Sequence, residues 1–70
     1  MIKVGIIGCG LMGTLHARTL RTFPDVKIEA LYNRSRNKAE SLAAQVGGKV
    51  CDSYQELLRH DLDAVYVATP

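Results

Sequence analysis

The sequence predicts an α/β protein built on a doubly wound parallel sheet, of which it supplies the first half, β-α-β-α-β-α-β in strand order 3-2-1-4. Three observations carry this. Apolar runs of strand length alternate with amphipathic stretches of helix length along the whole chain. The first run, Ile2 to Ile7, breaks at once into Gly8-Cys9-Gly10-Leu11-Met12-Gly13, a Gly-x-Gly-x-x-Gly turn that opens a helix. The runs of the first and last strands are near-continuous rather than alternating, which suits strands covered on both faces.

The elements follow in order. Strand one spans Ile2 to Ile7. Gly8 allows the sharp turn, Gly10 lets the backbone approach a ligand, and Gly13 lets the helix lie close to the strand. Helix A is expected from Leu11 to Thr22, with Leu11, Met12, Leu15, Thr19, Leu20 and Phe23 at roughly helical spacing. Pro24-Asp25 marks a turn, and strand two runs from Val26 to Tyr32. Helix B covers Arg36 to Val46, with Ala39, Leu42, Ala43 and Val46 as its apolar stripe and Gly47-Gly48 as its stop. Strand three is short, Lys49 to Cys51. Ser53-Tyr54-Gln55-Glu56 is a capping box that starts helix C, which ends near His60. Strand four covers Asp63 to Ala68, and Ile6, Ile7, Val65 and Val67 are expected to be buried in adjacent parallel strands. Short connections between these elements require right-handed crossovers.

Composition narrows the function classes. The net charge of +2 is small and the basic residues are spread along the chain, which argues against a nucleic-acid partner. No apolar run approaches the roughly 20 residues a membrane helix needs, so no membrane partner is expected. The chain enters a strand from Met1 without the charged and apolar regions of a secretory leader. Two cysteines make neither a disulfide framework nor a metal pattern, so a reducing cytoplasm is expected. At 70 residues the chain is short for a domain. The apolar run 64–68 closes it with nothing after, and we read it as the N-terminal part of a larger domain. In isolation it is expected to be poorly stable or to self-associate, since so short a chain buries only about 60% of its surface.

The glycine turn points to a pyrophosphate. The first N–H groups of a helix lack internal partners, and the helix dipole adds partial positive charge, so an anion is held without a lysine. Asn33-Arg34-Ser35 follows strand two, with Asn33 twenty positions after Gly13, where NAD-binding chains usually place a carboxylate for the ribose 2′-OH. A neutral amide does not repel a 2′-phosphate. Arg34 can stack on adenine or pair with that phosphate, Ser35 can donate a further bond and cap helix B, and Arg36 and Lys38 add positive charge. NADP is therefore the expected cofactor, with NAD second. Cys9 reads as a small spacer under the cofactor and Cys51 as a buried strand residue. His16 reads as a packing or surface residue, His60 as a partner of a helix C-terminus, and the three tyrosines as packing residues. Neither histidine has a sequence partner that would make a triad or a metal site, so no catalytic residue is assigned.

The chain resembles the N-terminus of the glucose–fructose oxidoreductase / inositol dehydrogenase (Gfo/Idh/MocA) family, whose cofactor domain is of Rossmann type. The likeness rests on the run from Val4 to Gly13 with His16 after it, on Asn33-Arg34-Ser35, on Tyr54 to Leu58, and on Asp61 to Pro70. It implies that Ala68-Thr69-Pro70 approaches the cofactor near the topological switch point. It also implies an NAD(P)-dependent oxidoreductase that moves hydride between the nicotinamide and a small-molecule substrate, a sugar, inositol or related polyol. A second α+β domain and the catalytic Lys, Asp and His would lie beyond residue 70, and the intact protein is expected to be a homo-oligomer. Asn33 stands where many members have Asp, which favours NADP. A non-catalytic nucleotide-binding or sensing module is the alternative. A Lys-Pro on the next element and a second domain would separate the two.

Overall fold

Each strand–helix step returns the chain to the same end of one sheet, so every strand points the same way and every C-terminal strand end lies on one edge. The computed structural model describes residues 1–68. Its elements are β1 (Ile2–Ile7), α1 (Leu11–Arg21), β2 (Val26–Tyr32), α2 (Arg36–Val46), β3 (Lys49–Val50), α3 (Tyr54–Leu58) and β4 (Ala64–Val67). The sheet order is β3-β2-β1-β4, all pairs parallel, as the strand–helix alternation requires. Thr69 and Pro70 lie outside the described residues.

Two cores sit on opposite faces of the sheet. One joins Val4, Ile6, Ile28 and Leu31 of the strands to Cys9, Ala17 of α1 and Ala39 and Leu42 of α2. The other joins Ala30 and Cys51 to Leu57 of α3, with Ile7, Leu62 and Val65 partly buried beside them. Ile28 and Leu31 are three residues apart yet face the same core. The register explains this: Val4 pairs with Ile28 but Gly5 pairs with Ala30, so Glu29 is an extra residue on β2. The bulge shifts the remainder of β2 by one residue. Glu29 then forms an ion pair with Lys27 at 3.4 Å.

The inward face of α1 differs from the one its apolar spacing predicts. Leu11, Met12, Leu15 and Phe23 are exposed, while Gly13 and Ala17 are buried. The cause is distance. A Cβ built on Gly13 would lie 1.8 Å from the Gly8 carbonyl oxygen. A helix seated that close to the strand end leaves room only for small residues beneath it, and the long side chains turn outward. Gly5, which no motif singles out, is also tightly placed on the other face, but against side-chain ends rather than backbone: its Cβ would lie 2.8 Å from Leu62 Cδ1 and 2.9 Å from Leu57 Cδ2.

β4 departs from the expectation of burial on both faces. Val65 is half-buried, but Val67 is 67% exposed. β4 pairs with β1 alone among the described strands, so its outer edge and much of its surface stay uncovered. Asp63 fastens its start: its N–H donates to the Lys3 carbonyl and its carboxylate accepts the Lys3 N–H, both at 2.7 Å. Element ends differ by a residue or two from the expected ones. Thr22 is the C-cap of α1 and Cys51 follows β3. In the capping box the Ser53 hydroxyl accepts the Glu56 N–H at 3.1 Å. The return arm lands one residue early, with the Glu56 carboxylate accepting the Asp52 N–H at 2.6 Å.

Both cysteines are buried and unpaired. Burial pushes the Cys9 thiol up from 9.0 to about 11. Unfolded, that thiol ionises near 9; folded, it holds its proton to about 11. Its contribution to stability is therefore complete below pH 9 and is lost as pH rises toward 11. We expect the unfolding free energy to fall across that window and Cys9→Ala to flatten the fall, as read by denaturant titration at stepped pH. Gly13→Ala tests the close approach of α1. In an exposed helix this change stabilises by about 1 kcal/mol. Here the clash with Gly8 should reverse the sign and cost about 1–3 kcal/mol in urea unfolding.

Candidate functional site

The site forms where β1 ends. Gly8 has φ 95°, a left-handed conformation that glycine adopts freely, and its N–H donates to the Tyr32 carbonyl at 2.8 Å. The turn therefore hangs from the end of β2. Gly10 is the N-cap of α1, with ordinary extended angles of φ −77° and ψ −158°. A Cβ on Gly10 would meet nothing within 4 Å. Neither backbone strain nor packing within the described residues calls for glycine there. The space beside it is open, as a cradle for an approaching ligand must be.

The N-terminus of α1 is electrostatically unsatisfied. The N–H groups of Leu11, Met12 and Gly13 meet no acceptor among the described residues, and Thr14 N–H is the first to find one, at the Gly10 carbonyl. No side chain caps the helix and no acidic residue lies in its first turn. An anion beside Gly10 would meet free donors and the positive end of the dipole. Ala68 reaches the same edge: its N–H donates to the Ile7 carbonyl at 2.8 Å, and its Cβ lies 3.7 Å from the position a Gly13 Cβ would take. The two residues expected to follow it at the site, Thr69 and Pro70, are outside the described residues.

The loop after β2 closes the other side. Asn33 Oδ1 accepts the Cys9 N–H at 3.0 Å, and Asn33 Nδ2 donates to the Ser35 carbonyl at 3.0 Å. The structure thus brings Cys9, Asn33 and Ser35 together through hydrogen bonds that the motif spacing does not show. Ser35 occupies the N-cap of α2, but its hydroxyl makes no cap bond, contrary to the expected capping role. The Asn33 amide holds the Ser35 backbone instead. Cys9 is a core residue whose thiol donates to the Tyr32 carbonyl at 3.7 Å.

Charge at the site comes from fewer residues than expected. Arg36 is bound to Glu40 at 3.2 Å and to Asp52, so two carboxylates offset its charge. Arg34 and Lys38 are exposed and make no ion pair among the described residues. Lys38 lines a groove of about 220 Å³ between α1 and α2, together with Cys9, Thr14, Asn37 and Ser41. That volume is below the roughly 300–1,000 Å³ of a complete ligand pocket, and suits one part of a larger ligand. Thr14, Asn37 and Ser41 went unmarked in the sequence. The signal that could have found two of them is the i, i+4 spacing of Asn37 and Ser41 on one face of α2.

The remaining candidates lie elsewhere. His16 is exposed, its ring 5.9 Å from that of Tyr66, which ties α1 to β4. On the α3 face, His60 Nε2 lies 3.7 Å from Cys51 Sγ, and His60 Nδ1 lies 4.0 Å from Glu29. Cys51 is 2% exposed, and burial, followed by the Glu56 charge, pushes its thiol up. A thiol so placed is a poor nucleophile. Among the described residues no three of His, Cys, Asp and Glu are placed to hold a metal ion, and no helix is long and apolar enough to cross a membrane.

Comparison with known proteins agrees with this geometry. Residues 2–70 match the model of the Gfo/Idh/MocA oxidoreductase family, NAD-binding Rossmann fold. The L-aspartate dehydrogenase of Methanocaldococcus jannaschii is 39% identical over 70 residues, covering 97% of this chain and 26% of that enzyme. The chain thus spans about a quarter of that curated relative. The crystal structure of GenD2 from gentamicin A biosynthesis, in complex with NAD, superposes with a TM-score of 0.94 at 33% identity, covering 99% of this chain and 20% of that one. KijD10, a 3-ketoreductase from Actinomadura kijaniata in complex with NADP, superposes with a TM-score of 0.89 at 32% identity, covering 99% and 23%. A glycine turn on a parallel sheet, a family match along nearly the whole chain and these likenesses agree: the chain belongs to the NAD-binding Rossmann portion of the Gfo/Idh/MocA oxidoreductase family.

Proposed function

We propose that this chain is the dinucleotide-binding half of an NAD(P)-dependent dehydrogenase, with residues 8–13 at the pyrophosphate and residues 33–35 at the adenosine ribose. The observation that carries this is Gly10. Nothing among the described residues calls for glycine at that position, yet the open space and the N–H groups of Leu11, Met12 and Gly13, which meet no acceptor among those residues, suit a phosphate against the backbone. Gly8 and Gly13 shape the turn, Cys9 fills the core beneath it, and Ala68 borders it. The nicotinamide, when bound, supplies the hydride acceptor or donor. This chain's own residues bind and orient; the reacting acid–base groups belong to sequence outside it.

NADP(H) is the preferred cofactor in this reading, NAD(H) the second. Arg34 and Lys38 make no ion pair among the described residues, beside a loop whose residue 33 carries no charge. The substrate class is a small polar molecule, a sugar, inositol or related polyol oxidised at a carbinol carbon. The aspartate dehydrogenase relative adds a second class, an amino acid oxidised at its amine-bearing carbon. Both share a C–H bond next to a heteroatom.

Two measurements on the full-length protein test this reading. Gly10→Ala should change unfolding free energy by less than about 1 kcal/mol, because only an N-cap preference is altered. Its affinity for NADP(H) should nevertheless fall about tenfold or more, because the added methyl takes the space beside the turn and holds the phosphate off the N–H donors, at a cost comparable to one charge-assisted bond. Unchanged affinity would remove Gly10 from the site. Arg34→Ala should weaken NADP(H) by one to two decades and NAD(H) by less, in fluorescence or calorimetric titration. Equal losses for both cofactors would make Arg34 an adenine-stacking residue and reverse the preference.

A further inference from the structure

We infer that Asn33 is a positioning residue whose side chain ties the phosphate-binding turn to the start of α2, so that the two ends of the nucleotide site are held in one geometry. The inference deepens the dinucleotide reading above and rests on it.

The turn is suspended from the end of β2 by three bonds. Gly8 N–H and Cys9 Sγ both reach the Tyr32 carbonyl, and Cys9 N–H reaches Asn33 Oδ1. The Asn33 bond alone captures a backbone donor of the turn through a side chain. Its other end holds the Ser35 carbonyl, which also accepts the Lys38 and Ala39 N–H groups and so begins α2. One amide therefore bridges residue 9 on the pyrophosphate side and residue 35 on the ribose side.

The bridge fixes the amide's orientation. Flipped, Asn33 would set its NH2 against the Cys9 N–H and its carbonyl oxygen against the Ser35 carbonyl, donor on donor and acceptor on acceptor. An aspartate at the same place could keep the bond from Cys9 but has no donor for Ser35. An alanine would lose both arms and leave the buried Cys9 with an unpaired N–H. Position 33 thus does two separable things. The oxygen holds the turn, which serves any dinucleotide. The NH2 holds Ser35 and keeps the site free of negative charge, which serves a 2′-phosphate.

The test uses the full-length protein and the variants Asn33→Ala and Asn33→Asp. Amide hydrogen exchange of Cys9, followed by NMR without ligand, reads the tie itself. Protection should be high in the wild type, retained in Asn33→Asp and lost in Asn33→Ala. Titration with NADP(H) and with NAD(H) reads the consequence. Asn33→Ala should weaken both cofactors by a similar factor of about ten, the worth of one hydrogen bond to the shared turn. Asn33→Asp should restore NAD(H) binding to near the wild-type value and leave NADP(H) weakened. Asn33→Leu fills much the same space without an acceptor and should behave as Asn33→Ala does, an outcome a purely space-filling role would not give. Equal Cys9 exchange in wild type and Asn33→Ala, or NAD(H) affinity unmoved by Asn33→Ala, would overturn the inference. If Asn33→Ala does not fold, Asn33→Asp decides, since loss of Cys9 protection in it also refutes the tie. A wild type that binds neither cofactor would sink the dinucleotide reading, while the exchange comparison would still decide whether Asn33 holds the turn.

Discussion

The contact between Gly13 and the Gly8 carbonyl is the constraint on which the rest of the molecule depends. With a Cβ at residue 13 only 1.8 Å from that oxygen, no other residue lets α1 start where it does. The helix is thereby seated against the end of β1, and its first N–H groups open directly at the turn. The same closeness decides which residues form the core beneath it. Ala17 is fully buried and Leu20 only partly, while Leu11, Met12 and Leu15 are turned out. A small-residue interface is the structural cost of placing a helix N-terminus at a strand end.

Parallel pairing multiplies the effect. Because every strand runs the same way, the end of β2 comes level with the end of β1, and α2 begins beside α1. Two helix N-termini without acidic first turns then face one edge of the sheet. The edge collects positive potential from backbone dipoles before any side chain is counted. Arg34 and Lys38 add to it because no carboxylate among the described residues pairs with them, whereas Arg36 is taken up by Glu40 and Asp52. Local pairing, rather than the number of basic residues in the loop, sets the field at the site.

The chain's two faces are unequal. The α1–α2 face holds the larger cluster and the groove, while the α3 face is built on a five-residue helix and the partly buried Leu62 and Val65. The bulge at Glu29 lets β2 serve both, since it moves Leu31 to the first face and Ala30 to the second. Among the described elements β4 is the outer strand on the side of β1, and its apolar residues are only partly covered there.

Much of this was legible in the residues themselves. Strand and helix periods separate cleanly, so the element order, the bounds of β1, β2 and α2, and the sheet order follow from alternation and from the handedness of crossovers. The glycine spacing located the turn, because Gly8 and Gly13 answer local demands of backbone angle and clearance. The inward face of α1 was not legible, since apolar spacing does not report how near a helix lies to its sheet. The bulge at Glu29 was hidden because one extra residue leaves composition and run length unchanged. The link from Asn33 to Cys9, the offset of Arg36 by Asp52 and the grouping of Cys51 with His60 and Glu29 were hidden for a common reason. Sequence by itself determined the order of elements and the place of the turn, which are set by neighbours along the chain. Only the tertiary structure decided which side chains are buried, paired or free at that turn, because those outcomes depend on distances between segments that the folded sheet brings together.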